Sequence, residues 1–197
     1  MDNQEEKISR SLNLTMSPNS TNKRIDSEYY VEGYATTFEE PYELMKLSDG
    51  TPIYEKVARS AFAEADLSDV ILRYDHEGPV YARTTNGTLG LEVTDKGLLT
   101  YADLGKTTRS KELYEDIAVG NVNKMSIQCT GIRRFDEATN TFTIEKVLKV
   151  YDVSAVGIPA NDDTSLLARN IEEMKKKEEQ DAKRKRLALL LKLETEE

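Results

Sequence analysis

The sequence predicts a β-rich α+β fold, a β-barrel ringed by a few helices, with a charged C-terminal helix appended. Three observations predict it. Most of the first 168 residues fall into short segments of alternating or apolar character, separated by turn-forming clusters. Only two stretches among them carry helical spacing. From Asn170 onward the chain has no Gly or Pro and is dense in charge of both signs. The expected division is a short N-terminal segment over 1–7, a folded domain over 8–168 and a helical tail over 169–197.

The elements follow in order. Arg10 to Met16 alternates Ser11, Asn13 and Thr15 with Leu12, Leu14 and Met16, the period of two that lines one face of a strand. Tyr29 to Thr36, rich in Tyr and small residues, is a second strand. Val57 to Leu67 carries Ala at 58, 61, 63 and 65 around Phe62 and is expected to be helical. Val70 to Tyr74 is a short apolar strand running into Asp75-His76-Glu77-Gly78-Pro79, where the strand end enters a turn. Leu89 to Val93 and Leu98 to Leu104 flank Thr94-Asp95-Lys96-Gly97, a hairpin signal. Arg109 to Val119 places Leu113 and Ile117 four apart, and Gly120 stops that helix. Lys124 to Ile132 and Thr141 to Ile144 flank a polar turn at 136–140, and Val147 to Ile158 is the longest strand, stopped by Pro159.

Composition excludes several classes of function. The 27 Lys and Arg against 36 Asp and Glu give a net charge of -9. Residues 170–197 hold eight of each sign, which leaves 19 basic and 28 acidic residues before them, so all of the net charge lies in the body. A surface this acidic does not clamp phosphates, and no nucleic-acid partner is expected. No apolar run is long enough to cross a bilayer, so no membrane partner is expected either. One Cys rules out an intrachain disulfide and a Cys-rich zinc site. One His rules out His-rich metal sites, and no metal or cofactor is expected. The polar start, Met1 to Lys7, lacks the apolar stretch of a signal peptide, and a soluble protein in a reducing compartment is expected. The tail reads as a solvated helix with i,i+4 pairs such as Glu173 with Lys177, its apolar tip at Leu187 to Leu193 packing on the body or on a second copy; a detachable or partner-binding arm is the other reading.

Three places can carry chemistry. His76 stands at a strand end entering a turn, where a rigid scaffold presents functional groups. Its neighbours Asp75 and Glu77 point away from it on an extended chain, so an orienting acid comes from elsewhere. Ser126 shares one strand face with Gln128 and Thr130, while Met125, Ile127 and Cys129 share the other. Ser126 is either a hydroxyl on an ordinary polar face or a nucleophile, and Cys129, the rival thiol, falls on the apolar face. Asp152 sits mid-strand among apolar residues, where a carboxylate is costly unless paired. Its partner is either Lys149 and nearby backbone donors, or an imidazole.

Taken in order, these segments resemble the prohead (capsid maturation) protease family of tailed bacteriophages. Val31-Glu32-Gly33-Tyr34-Ala35 resembles the family's opening Gly-Tyr-Ala strand, and Ala58-Arg59-Ser60-Ala61-Phe62 its Pro-Gly-Ala-Phe element. Tyr74-Asp75-His76 resembles the segment ending near the family's catalytic His. Gly87-Thr88-Leu89 and Asp95-Lys96-Gly97-Leu98 follow in order, and Lys124-Met125-Ser126-Ile127 resembles its Ser-Ile strand. The most specific match is Asp152-Val153-Ser154-Ala155-Val156-Gly157-Ile158-Pro159-Ala160-Asn161, similar to Glu-Val-Ser-x-Val-x-x-Pro-Ala-Asn, with Asp replacing the usual Glu.

The resemblance implies an assemblin-like fold, a β-barrel ringed by helices, and a serine endopeptidase. Ser126 is then the nucleophile and His76 the general base. The wider group can use a second His as the third member; with one His in the chain, that role falls to an acid, and Asp152 is the best placed. For the oxyanion hole, backbone N–H groups are expected ahead of Arg133 or Arg134. The implied substrates are scaffold and major capsid protein inside an assembling procapsid in the host cytoplasm, with self-cleavage at the termini, and the implied assembly is a homodimer. The competing readings are a non-enzymatic scaffold or assembly protein with a protease-like body and helical tail, a cysteine hydrolase using Cys129 and His76, and an unrelated β-barrel binding module.

Overall fold

The computed structural model describes residues 6–12, 16, 18, 22–157, 176–177 and 180–186. Its elements in chain order are β1 (Glu6–Leu12), β2 (Tyr30–Thr37), β3 (Tyr42–Lys46), β4 (Pro52–Val57), β5 (Ile71–Tyr74), β6 (Glu77–Arg83), β7 (Leu89–Val93), β8 (Gly97–Asp103), α1 (Thr108–Val119), β9 (Lys124–Asp136) and β10 (Thr141–Val156). A short 3₁₀ turn, Thr84–Asn86, follows β6. The chain divides into two units, one of Met1–Tyr42 with Tyr54–Ala160, the other of Glu43–Ile53 with Asn161–Glu197.

In the first unit β9 lies inside the larger sheet. It pairs antiparallel with β1 on one side and with β10 on the other. The sixteen-residue β10 serves two further neighbours in succession. Thr141 to Ile144 run parallel to Tyr54 to Val57, and Asp152 to Ala155 run parallel to Ile71 to Tyr74. β6 then pairs back on β5. A second sheet has the order β2-β8-β7, all antiparallel. Both sheets pack apolar residues into one core, with Ile8, Val31, Leu72, Leu98, Met125 and Val153 at most 1% exposed. Each such side chain contributes about 1.5–3 kcal/mol by leaving water.

The β-rich α+β class is observed. The strands form two sheets with no ladder joining them, so no closed barrel is present among the described residues. The expected helix over Val57 to Leu67 is absent. Val57 ends β4, and the residues after it form successive tight turns closed by i→i−3 bonds, Ala61 to Ala58, Ala63 to Ser60 and Ala65 to Phe62. Tertiary bonding overrides the alanine propensity: Ala58 N–H donates to the Ile144 carbonyl, and Val147 N–H to that of Ala61. The second expected helix is α1. Thr107 caps it by accepting from the Ser110 N–H at 3.1 Å, Gly120 (φ 85°) ends it in the left-handed region, and Leu113 and Ile117 bury its inner face.

In the second unit, Leu47 N–H donates to the Thr51 carbonyl and Gly50 N–H to that of Leu47, both at 2.9 Å. Of the charged tail, residues 176–177 and 180–186 are helical and exposed. The apolar tip Leu187 to Leu193 and the signature's end, Ile158 to Asn161, lie outside the described residues. Among the described residues no helix is long and apolar enough to cross a membrane.

Candidate active site

His76 belongs to a two-residue hairpin turn. Tyr74 pairs with Glu77, and the two residues between them, Asp75 and His76, have φ of 47° and 60°. Positive φ at both central positions is the signature of the primed turn whose twist suits a hairpin, and Asp and His are among the residues that tolerate it. The turn is tied down on three sides. Asp75 N–H donates to the Ala155 carbonyl at 3.0 Å, the Asp75 carboxylate accepts from Gly157 N–H at 3.2 Å, and Arg73 Nη1 donates to the His76 carbonyl at 3.0 Å. The turn expected where the strand ends at His76 is therefore observed, with His76 itself at its centre and Gly78-Pro79 beyond it. Pro79 lies in β6, whose only ladder among the described residues is with β5, the kind of position a strand proline accepts.

Ser126 comes from β9 and Asp152 from β10, and a bulge brings them to one face. Val150 lies opposite Cys129, yet Asp152 lies opposite Gln128, so Tyr151 is an extra residue in the ladder. Without it Asp152 would oppose Ile127 and point to the apolar face. One inserted residue reverses every following side chain, and here it sets Asp152 opposite Gln128 and Ser154 opposite Ser126. Ser126 is 0% exposed and Asp152 2%.

The three side chains meet. His76 Nδ1 lies 2.5 Å from Asp152 Oδ1, and His76 Nε2 lies 2.5 Å from Ser126 Oγ. The carboxylate accepts, so Nδ1 carries the hydrogen, and in the neutral ring Nε2 is left to accept from the Ser126 hydroxyl. The arrangement can draw a proton from Ser126 and hold it on an imidazolium that a buried carboxylate stabilises.

A search with protein-family models matches residues 17–177 to the caudovirus prohead serine protease. The chain belongs to this family. The match covers the hairpin of His76, the β9 strand of Ser126 and the whole of β10. No curated protein and no solved structure matches the chain.

The remaining candidates lie elsewhere. Cys129 is 2% exposed, on the opposite side of β9 from Ser126, and registers with Val150 and Ile8. Lys149, the alternative partner for Asp152, instead donates to Asp66 Oδ2 at 2.7 Å. Glu77 is the first residue of β6. Arg133 and Arg134 stand seven and eight residues beyond Ser126, roughly 23 Å or more along an extended strand. They are engaged there, Arg133 against Glu55 at 3.6 Å and Arg134 against Glu145 at 2.7 Å. Among the described residues no group of three or more His, Cys, Asp or Glu is placed to hold a metal ion. A cavity of about 360 Å³ opens beside the hairpin, lined by Tyr74, Tyr81 and Val122 with Arg109 and Glu112 of α1. The Asp75 carboxylate, with burial, holds the Tyr74 phenol above its ordinary pKa.

Sequence reasoning missed one polar participant. Ser154, 0% exposed, hydrogen-bonds both Asp152 and the His76 backbone. Its position two residues after Asp152 on one strand was the available signal.

Proposed function

We propose that this member of the prohead protease family is a serine endopeptidase that cleaves scaffold and major capsid protein inside an assembling procapsid, and cleaves itself near its termini. The observation that carries the reading is the continuous path from Asp152 through His76 to Ser126, with both links at 2.5 Å. Family membership gives that path its chemistry, a peptidase with a serine nucleophile acting in capsid maturation.

The reaction runs as acyl transfer to water. Ser126 Oγ bonds to the scissile carbonyl carbon while its proton passes to His76 Nε2. The carbonyl π pair moves onto oxygen and returns as the C–N bond breaks. The imidazolium gives its proton to the departing amine nitrogen. Water then repeats the sequence on the acyl-enzyme, and Ser126 recovers its proton. Asp152 holds the Nδ1–H throughout and offsets the positive charge on the ring. Ser126 is fully covered in this structure, so a peptide carbonyl reaches Oγ only after the covering chain moves aside. The 360 Å³ cavity beside the His76 hairpin, part aromatic and part charged, suits a side chain flanking the cut bond. A homodimer is the assembly we propose, from the likeness to the assemblin group.

Co-expression of the chain with its capsid and scaffold proteins tests the reading. Wild type and Cys129→Ala are expected to yield cleaved products and a trimmed protease by intact-mass measurement, and Ser126→Ala none. Cleavage that survives Ser126→Ala would overturn the serine assignment. Assembly without any cleavage by the wild type would favour the non-enzymatic scaffold.

A further inference from the structure

We propose that Ser154 is a positioning residue that holds the Asp152–His76 pair and the His76 turn in register with each other. This rests on the reading of Ser126, His76 and Asp152 given above, and adds a fourth side chain to it.

The proton arithmetic at Ser154 Oγ leaves little freedom. His76 N–H, 3.1 Å away, can only donate, so Oγ accepts from it. The hydroxyl hydrogen is thereby free to go outward, and Asp152 Oδ1 stands 2.8 Å away as an obligate acceptor. The third neighbour, His76 Nδ1, lies at 3.3 Å, but its hydrogen is directed to the same Asp152 oxygen at 2.5 Å. Asp152 Oδ1 therefore receives two donors, Nδ1–H and Ser154 Oγ–H. One hydroxyl thus joins the backbone of the base to the side chain of its acid.

Two costs explain why a hydroxyl is needed there. A carboxylate 2% exposed has lost its water, and a single imidazole donor does not replace that shell. A residue held at φ 60° needs its backbone fixed by the surroundings, and its N–H has to find an acceptor. Ser154 answers both with one atom. It can do so only because the Tyr151 bulge sets Asp152 and Ser154 on the Ser126 face, directly under the hairpin.

The test uses the full chain and two readouts. The first is the single-turnover rate on purified capsid or scaffold protein. Ser154→Ala is expected to lose about 10- to 100-fold in rate, the weight of a hydrogen bond to a charged group, with KM little changed. The second exploits the single His, which gives one imidazole in an NMR spectrum of labelled protein. In a Ser126→Ala background that cannot cut itself, the downfield Nδ1–H resonance is expected to be sharp. Adding Ser154→Ala broadens or abolishes it, and adding Ser154→Thr, which keeps the hydroxyl, retains it. An Ala variant with parental rate overturns the proposal. So does a slowed Ala variant whose Nδ1–H resonance is unchanged, because Ser154 would then act other than through the ring. If the Ala variant fails to fold, the Thr variant decides: a folded Thr protein without the resonance overturns the proposal. Cleavage that persists in Ser126→Ala counts against the serine reading instead, while the resonance still reports on Ser154.

Discussion

His76, the proposed base, stands at a backbone position that few side chains occupy. Its φ of 60°, beside Asp75 at 47°, aims the imidazole back over the sheet, where Asp152 Oδ1 and Ser126 Oγ each lie 2.5 Å from a ring nitrogen. In the proposed mechanism Asp152 fixes the tautomer of that ring. Asp152→Asn removes the charge and offers an amide that can donate to Nδ1, which reverses the ring's preference. A fall in kcat of about 10⁴ with an unchanged circular dichroism spectrum is expected, on the precedent of the serine-protease template. A rate near wild type would pass the orienting role to another acid. The three residues of the candidate site were singled out before any geometry, and for unequal reasons. A single His left one imidazole to consider. Ser126 and Asp152 were marked by their segments' resemblance to the family. Ser154 could be placed on the same face as Asp152 from their spacing of two, but that this face meets Ser126 depends on a bulge at Tyr151 that only strand pairing reveals.

At the scale of elements, β10 positions the site by serving different neighbours along its length. Its middle is clamped by the chain after the turns that follow β4. Asp66 N–H donates to the Leu148 carbonyl at 2.8 Å, and Val150 N–H returns the bond to Asp66 at 3.1 Å. The Asp66 carboxylate is held far below the ordinary carboxylate range, first by the Lys149 ammonium at 2.7 Å and then by Ser68, whose hydroxyl and N–H donate at 2.6 and 3.0 Å. A depressed carboxylate stabilises the fold above its unfolded pKa of about 3.9 and loses that contribution as pH falls below it. Asp66→Asn is therefore expected to melt at a lower temperature than wild type at pH 7, and the gap to narrow steadily below about pH 4. A gap that stays constant into acid would show that the carboxylate's charge is not the source. The strand expected over Arg10 to Met16 shares only Arg10 to Leu12 with β1, whereas the two faces of β9 were legible from their alternation, and the hairpin of β7 and β8 from its Asp-Lys-Gly turn. β3, β4 and β6 were not. β6 contains Gly78 and Pro79, which read as a turn, and the alanines after β4 read as a helix that bonds to Ile144 and Val147 prevent.

Over the whole molecule, the net charge of -9 lies before Asn170 and belongs to the body that carries the site, not to the neutral tail. That field suits a protease working among proteins in a confined shell and disfavours binding to the phosphate backbone of a packaged genome. In the proposed role, confinement would raise the effective concentration of substrate around each protease, so modest intrinsic affinity for the proposed scaffold or capsid segments would suffice. The central claim is that Ser126 Oγ is the nucleophile of this molecule. Treatment of an actively cleaving preparation with a fluorophosphonate, followed by peptide mass spectrometry, tests it most directly. One covalent adduct is expected, on Ser126, absent from His76→Ala protein. An adduct on a different residue, or none while capsid cleavage continues undiminished, would contradict it.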